Sequence, residues 1–301
     1  MSFNVGRVRG THLIWQQRLF RSRDRASNRA AMLTIRGIRK TFNPGTVNEV
    51  RSLQGVDLTI EDGSMVMVIG TNGSGKSTLL NAIAGAFEVD SGTIRIGGED
   101  VTRWPEHRRA KHIGRVFQNP FSGTAPNLSI AENFALAAKR GLPRGIGWAV
   151  HGALASEIRQ TVSRLNMGLE NRLDNMIGSL SGGQRQALTL LMAAWRKPDL
   201  FLLDEHTAAL DPKSADQVIA LTEQIVKRDR LTTLMVTHSM QQATSLGDRL
   251  IMMHRGRVIQ DYRGADKRRL RVSDLLAQFE EVRRSELLDE SAAEMIRAAY
   301  V

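Results

Sequence analysis

The sequence predicts an α/β protein with a mixed, largely parallel sheet, an antiparallel β region and an inserted helical subdomain. Short apolar runs alternate with helical stretches through most of the chain, which is typical of a parallel sheet. Strand signals fade between about residues 119 and 182, where helical stretches dominate. Two strand-like runs flank Arg255 and Gly256, and this pattern indicates a hairpin.

Strands and helices are placed in chain order from these patterns. Alternating or continuous apolar character predicts strands over residues 33–42, 56–60, 65–69, 93–96, 113–117, 200–203, 232–236, 250–254 and 257–262. Helices are predicted over residues 76–84, 130–140, 151–165, 184–195, 212–227 and 272–300. A segment rich in glycine and proline, residues 141–147, separates the first two helices of the predicted subdomain.

Three regions follow from this order: a basic leader over residues 1–31, the α/β domain over residues 32–264, and a C-terminal helical extension over residues 265–301. Four interpretations of the leader stay open. It is a disordered tail, a gene start placed too early before Met32, an organelle transit peptide, or an anchor to anionic lipid. The anchor would use the apolar residues Leu13, Ile14, Trp15, Leu19 and Phe20.

The formal net charge of +11 suggests nucleic-acid binding, but its distribution argues against that class of function. Residues 1–31 hold seven arginines and one acid, Asp24, so the leader supplies +6 of the total. The remaining charge is mild for a body of this size. We therefore expect no nucleic-acid partner.

Composition excludes several other classes. The chain has no cysteine, which rules out a disulfide framework and a thiolate metal site, and its seven histidines show no zinc-ligand spacing. The longest apolar runs, such as residues 65–69 and 188–195, fall well short of the ~20 residues that cross a bilayer. If this protein works at a membrane, another chain must span it.

A glycine-rich loop follows the third predicted strand and opens into a helix. It matches the pattern G-x-x-x-x-G-K-[ST] in full and consists of Gly70, Thr71, Asn72, Gly73, Ser74, Gly75, Lys76 and Ser77, followed by Thr78. Glycines let backbone N–H groups approach phosphate oxygens, and the helix start adds a positive dipole end. Lys76 would contact the β and γ oxygens, and the Ser77 hydroxyl would bind Mg²⁺. A plain helix-capping turn would not explain the lysine, so the loop predicts a P-loop NTPase.

Two adjacent acids follow the apolar strand over residues 200–203. Buried parallel strands present ligand-binding groups at their C-terminal ends. Asp204 would reach Mg²⁺, and Glu205 would orient and deprotonate the attacking water. Two surface acids at a strand end are the alternative, but that pattern does not account for their presence in a chain with a phosphate loop.

A second glycine-rich helix start decides among the P-loop families. Ser181 is a good N-cap, and Gly182 and Gly183 expose backbone donors, so this turn is a second anion-binding helix N-terminus. With Leu180 and Gln184 it resembles the signature motif of ABC transporter ATPases. The resemblance extends from the first predicted strand to the hairpin, with the motifs in the family's order. It implies that ATP is the ligand, and that a second copy in a head-to-tail dimer binds its γ-phosphate through Ser181, Gly182, Gly183 and Gln184.

The resemblance assigns roles near the nucleotide to two further residues. Phe42 stands where the family carries an aromatic ring that stacks on adenine, although an ordinary core phenylalanine fits the same pattern. Gln118 resembles the glutamine that senses Mg²⁺ and the transporter. It joins Ser77 and Asp204 in the implied metal site.

Two more residues correspond to the family's motifs after the acids. Asp211 resembles the aspartate of the loop at the dimer interface, and His238 resembles the switch histidine that contacts the γ-phosphate. The implied catalytic set is therefore Glu205, His238 and Lys76. One departure is His206, which stands where family members commonly carry proline; it either alters the local turn or is a family variant.

The resemblance implies an assembly as well. Two copies would sandwich two ATP molecules and power separate integral membrane permease subunits, with this chain peripheral on the cytoplasmic face of a bacterial inner membrane. Residues 119–131, with Phe121 and Leu128, correspond to the segment that docks a permease helix, and packing inside the subdomain is the alternative.

Two segments indicate the direction of transport. Residues 105–110 and 113–118 resemble the corresponding segments of importers of amino acids and related small organic solutes. This resemblance implies a solute-binding protein in the same system. A non-transport ABC ATPase, acting as a membrane-complex adaptor or on nucleic acid, is the alternative function.

Overall fold

The computed structural model describes residues 30–142 and 152–284 of the chain. In this part the strands are β1 (Ala31–Phe42), β2 (Val50–Glu61), β3 (Met65–Gly70), β4 (Ser91–Ile96), β5 (Glu99–Asp100), β6 (Ile113–Val116), β7 (Leu200–Asp204), β8 (Thr233–Val236), β9 (Arg249–His254) and β10 (Arg257–Arg263). The helices are α1 (Lys76–Ala84), α2 (Glu106–Arg109), α3 (Ile130–Ala138), α4 (Gly152–Ser163), α5 (Gly182–Trp195), α6 (Pro212–Asp229), α7 (Met240–Ser245) and α8 (Gly264–Arg269). Residues 272–284 are also helical.

The described strands form two sheets. The first is antiparallel, with the order β2-β1-β4-β5, and the second has the order β10-β9-β3-β8-β7-β6. In the second sheet every pairing is parallel except that of β9 with β10. The predicted mixed, largely parallel sheet and the antiparallel region are therefore confirmed. The parallel strands place their C-terminal ends at one edge, where ligands bind in α/β sheets.

β3 is buried along its whole length because both faces of its sheet are covered. Met67 and Ile69 point into a core cluster that includes residues of α3, α4 and α5. Val66 and Val68 point into the other cluster, which includes α1 and the antiparallel sheet. This alternation is the two-residue period of a strand, and it holds the loop after β3 between two packed layers.

Most predicted elements are present with shifted ends. β2 begins at Val50 rather than residue 56, because its first residues, including the exposed Val50 and Arg51, still pair with β1. The predicted helical subdomain contains α3, α4 and two 3₁₀ turns, Leu169–Asn171 and Ile177–Ser179. The short helices α2, α7 and α8 were not predicted, since four to six residues are too few to show a helical period.

At the two ends of the chain, only part of the predicted structure falls within the described residues. The leader lies outside the described residues, except that Ala31 already belongs to β1. The predicted C-terminal helix is present over residues 272–284, where Leu275 is buried in the same core cluster as Met67, and the rest lies outside the described part. Among the described helices, none combines the length and apolar character needed to cross a bilayer.

Candidate active site

The phosphate loop connects β3 to α1 at the edge where the parallel strands end. α1 begins at Lys76, as the sequence predicts, and its N-cap Gly75 has a φ of 96°. A Cβ on Gly75 would lie 2.5 Å from the backbone oxygen of Ser52, so a side chain is excluded by both conformation and space. The first turn of α1 contains no acid, and its positive dipole end is left for a ligand.

Lys76 closes the loop on itself. Its Nζ donates hydrogen bonds to the backbone oxygens of Gly70 at 2.9 Å and Thr71 at 3.0 Å. The side chain is buried, and this burial lowers the pKa of Lys76, against the opposing charges of Glu205 and Asp204. An ammonium held among backbone oxygens and two acids is placed to meet an incoming polyphosphate.

Asp204 ends β7 beside the first turn of α1. The Ser77 Oγ lies 3.4 Å from its Oδ1 atom, and the Arg115 guanidinium lies 3.9 Å from its Oδ2 atom. Burial raises the pKa of Asp204, and the Arg115 charge opposes that shift. A hydroxyl and a carboxylate facing each other are the oxygen donors that Mg²⁺ takes alongside substrate phosphates, so this pair fits the ion.

The third residue of the implied metal site, Gln118, is exposed and lies just beyond β6. In the described part, no group of three or more His, Asp or Glu side chains forms a metal site by itself. A divalent ion at this edge would therefore depend on Ser77, Asp204, the predicted ligand Gln118 and the nucleotide together.

Glu205 lies in a bend immediately after β7. Its φ is 45°, a left-handed conformation that is costly for a residue with a side chain. Its backbone N–H donates to the Val236 oxygen at 3.0 Å, which fixes the bend against β8. Its Oε1 atom lies 2.6 Å from His238 Nε2, and the glutamate is 9% exposed while the histidine is 48% exposed. The pair thus joins a buried carboxylate to an accessible imidazole.

His206 points the opposite way, into the protein. The Thr222 hydroxyl donates to the Val218 backbone oxygen at 2.8 Å, so it can only accept from His206 Nε2 at 2.9 Å. Nδ1 is then a buried acceptor without a hydrogen-bond partner. Burial lowers the pKa of His206 to about 4, and the ring is neutral at pH 7. His206 therefore ties the segment after Glu205 to α6.

The signature turn is a capped helix start, as predicted. Ser181 Oγ accepts from the Gln184 N–H, and Gln184 Oε1 accepts from the Ser181 N–H, both at 3.3 Å. A Cβ on Gly183 would lie 2.7 Å from Ser214 Oγ, which explains glycine at this position. Ser181 and Gly182 are exposed. Within the described part of one chain, this turn makes no hydrogen bond to the phosphate loop.

Asp211 lies close to the signature turn. It is the N-cap of α6, accepts from the Ser214 N–H at 3.0 Å, and is exposed. Because Ser214 contacts the Gly183 position, the starts of α5 and α6 form one surface. This surface carries two of the predicted dimer-facing motifs.

Phe42 belongs to a small aromatic group at the end of β1. Its ring meets Phe87 edge to face at 5.3 Å between centroids, and Lys40 Nζ lies 5.5 Å from each ring. Phe42 is half-buried, so a face remains for a planar ligand. The adenine-stacking role stays a prediction.

The structure brings Ser77 beside Asp204 and Glu205 beside His238. Lys76 lies close enough for the charges of both acids to act on its pKa, although it hydrogen-bonds only to loop oxygens. Sequence reasoning missed Arg115, which lies beside Asp204. Its position could have indicated this role, because an arginine inside an otherwise apolar strand carries a charge that needs a partner.

The fold and this edge of the sheet together define the class: a P-loop protein that binds nucleotide. The ABC transporter family profile matches residues 53–208, and the chain belongs to that family. It is an ATP-binding subunit of an ABC transporter, with ATPase activity.

Similar proteins cover most of the chain. The tyrosine transport ATP-binding protein of Clostridioides difficile is 40% identical over 250 residues, which are 83% of this chain and 99% of the relative. The lipoprotein-releasing system ATP-binding protein LolD 1 of Caulobacter vibrioides is 36% identical, over 73% of this chain and 92% of the relative. A dimeric ATP-binding cassette in a post-hydrolysis state with ADP and Pi has a TM-score of 0.66 and 26% identity, covering 77% of this chain and 98% of that one.

Proposed function

We propose that two copies of this chain close head to tail on two ATP molecules. Each ATP lies between the phosphate loop of one copy and the Ser181 turn of the other. The observation that carries the proposal is the exposed, capped start of α5, which in the described part of one chain makes no hydrogen bond to that chain's own phosphate loop. The similar cassette that is dimeric with ADP and Pi bound supports a second copy as the partner.

In this dimer each residue at the sheet edge has a separate role in binding or hydrolysing ATP. Glu205 orients the attacking water and takes its proton, Lys76 stabilises charge on the β and γ oxygens, and His238 contacts the γ-phosphate. Ser77, Asp204 and Gln118 would hold Mg²⁺, and the ion would neutralise charge on the phosphates. Phe42 stacks on the adenine ring. Hydrolysis breaks the bond between the γ-phosphate and ADP, so one ligand no longer bridges the two copies, and the dimer opens as inorganic phosphate leaves.

The test is Glu205→Gln, which keeps the shape of the side chain and removes its basicity. We expect this variant to form a stable dimer in Mg²⁺ and ATP, measured by light scattering after size exclusion, with ATP turnover reduced at least about 100-fold. Glu223→Gln, on the exposed side of α6, is the matched control and should behave as wild type. Normal turnover in Glu205→Gln would refute the assigned base.

The proposed partner in the membrane is a separate permease. Phe121 is 50% exposed, and the Arg185 guanidinium lies 3.8 Å from the centroid of its ring. The segment therefore exposes an aromatic ring that Arg185 holds in place. Leu128 is half-buried in the same segment. This docking would hold the chain at the cytoplasmic face of a bacterial inner membrane.

Crosslinking tests this partner directly. The chain has no native cysteine, so Phe121→Cys gives one reactive site. We expect a crosslink to an integral membrane protein in membranes from the native host, and none from a cysteine at position 223 of α6, where the glutamate side chain is 35% exposed. A crosslink to ribosomal or DNA-bound proteins instead would favour the non-transport alternative.

The proposed cargo class is an amino acid or a similar small organic solute, imported with a solute-binding protein. The support is the tyrosine transport relative, which matches over nearly its whole length. Uptake of labelled amino acids should fall when the gene is deleted, and return with wild type but not with Lys76→Ala. Normal uptake together with lipoproteins retained in the inner membrane would favour a role like that of the LolD relative.

A further inference from the structure

Arg115 is a buried cation next to the proposed Mg²⁺ site. It lies in β6, where it pairs with Leu202 of β7, and its side chain is only 12% exposed. Its guanidinium lies 4.4 Å from the ring centroid of Phe117, the residue that precedes Gln118 in the chain. Its Nε atom is buried without a hydrogen-bond partner, so the protein accepts a desolvation cost to keep this group in place.

The guanidinium connects three elements that surround the phosphate site. Nη2 donates to Asn81 Oδ1 at 2.5 Å and lies 3.9 Å from Asp204 Oδ2, while Nη1 lies 4.0 Å from Glu106 Oε1. Asn81 is four residues after Ser77, so the two lie one turn apart on the same face of α1. Arg115 therefore links the carboxylate of Asp204 to the helix that carries Ser77.

The two oxygens of Asp204 consequently have different neighbours. Oδ2 faces Arg115, and Oδ1 faces the Ser77 hydroxyl at 3.4 Å. A metal ion between Ser77 and Oδ1 would have the carboxylate between itself and the arginine, so the two cations need not compete for one oxygen. Arg115 is the described ion-pair partner of Oδ2. If Arg115 is removed, the buried carboxylate loses the group that fixes its orientation.

We propose that Arg115 is a positioning residue for Mg²⁺-dependent nucleotide binding, because it holds Asp204 Oδ2 and leaves Oδ1 beside Ser77 to meet the metal. This inference rests on the proposed Mg²⁺ site. Groups that orient metal ligands commonly change affinity about 10- to 100-fold when removed, and an effect of that size is expected here.

The test measures binding rather than turnover. A fluorescent ATP analogue is titrated with MgCl₂, and again in EDTA. For Arg115→Met we expect the Mg²⁺ concentration at half-maximal binding to rise at least about tenfold, with binding in EDTA within about twofold of wild type. Arg115→Lys should lie between the two, because an ammonium cannot reach Asn81 and Asp204 as a fork does.

Two comparisons keep the result decisive. Arg108→Met is the matched control. Arg108 lies on α2, its guanidinium is 3.9 Å from the centroid of the Trp104 ring, and none of its described contacts is with Asp204. In an Asp204→Asn background, Arg115→Met should add nothing, because the arginine acts through that carboxylate. A loss in EDTA as large as the loss in Mg²⁺ would mark Arg115 as a folding residue and overturn the proposal.

Failure of the inference is distinguishable from failure of the Mg²⁺ site itself. If wild type binds the analogue equally with and without Mg²⁺, and Asp204→Asn changes nothing, the site is wrong and the role of Arg115 falls with it. If both behave as expected but Arg115→Met shows an unchanged or a lower Mg²⁺ requirement, only the role of Arg115 is overturned. A lower requirement would show that the arginine repels the metal.

Discussion

The Nε2 atom of His238 lies 2.6 Å from the Oε1 atom of Glu205. The contact joins the second residue after β8 to the first residue after β7, and parallel pairing of those strands brings the two positions together. The imidazole is half exposed while the carboxylate is almost covered, so a ligand at this edge reaches His238 first. The histidine is therefore placed to hold the orientation of Glu205, and in the proposed dimer we expect it to respond to the nucleotide as well.

We expect His238→Ala to reduce ATP turnover about 100-fold, because the carboxylate loses the group that orients it and the γ-phosphate loses a contact. ATP affinity should stay within about threefold, since Lys76 and the loop remain intact. The measurements are phosphate release at saturating ATP and binding of a fluorescent ATP analogue. His107→Ala, on the exposed face of α2, is the control. Full activity in His238→Ala would remove the switch role.

We expect Lys76→Ala to weaken Mg²⁺-ATP binding at least about 30-fold, because truncating one partner of a buried charged contact costs about 2 kcal/mol or more. The variant should remain folded, since the lysine contacts only loop oxygens in the described structure. Calorimetric titration measures the affinity, and circular dichroism checks the fold. Lys213→Ala, exposed at the start of α6, should bind as wild type does. Unchanged affinity in Lys76→Ala would end the phosphate-loop assignment.

His206 predicts how stability depends on pH. The folded chain holds this histidine with a pKa of about 4, against 6.5 for the ordinary group, so below pH 6.5 the unfolded chain binds more protons. Its contribution to stability is present above pH 6.5 and is lost as the pH falls toward 4. Between pH 7 and pH 5 the loss is about 2 kcal/mol.

The comparison that isolates this group is His206→Gln, which keeps a donor for Thr222 and does not titrate. Its free energy of unfolding in urea should fall about 2 kcal/mol less than that of wild type between pH 7 and pH 5. His107→Gln should show the wild-type dependence, because that residue is exposed. Identical pH profiles for wild type and His206→Gln would contradict the neutral, buried ring.

The two signature glycines should differ in what they tolerate. A Cβ on Gly183 would meet Ser214 Oγ at 2.7 Å and Cβ at 2.8 Å, whereas on Gly182 the nearest atom is Leu210 Cδ2 at 3.4 Å. We expect Gly183→Ala to lower the free energy of unfolding by about 1–3 kcal/mol through overpacking. Gly182→Ala is the matched control and should be close to neutral. Equal stability of the two variants in urea unfolding would contradict the packing of α5 against α6.

Much of the site could be predicted because its motifs are local. The loop from Gly70 to Ser77 and the capped turn at Ser181 each define their own backbone, since the glycines, the cap and the helix start lie within a few residues. The complete burial of β3 also follows from its short apolar run. Short-range chemistry of this kind is readable without knowing what packs against it.

The short helices and the environments of charged residues could not be predicted in this way. α2 and α7 are too short to show a period, yet α2 supplies Glu106 beside Arg115 and α7 follows His238. The left-handed φ of Glu205 has no signal in its residue type. Each of these features is set by neighbours that are distant along the chain.

The class of fold, the phosphate loop, the two acids at the end of β7 and the signature turn could all be predicted, because each depends on consecutive residues. The approach of Arg115 to Asp204, the burial of His206 against Thr222 and the contact of His238 with Glu205 are visible only in the folded chain. Charge and burial depend on which strands lie side by side. Parallel pairing places residues from β6, β7 and β8 within a few ångströms, although they are far apart along the chain.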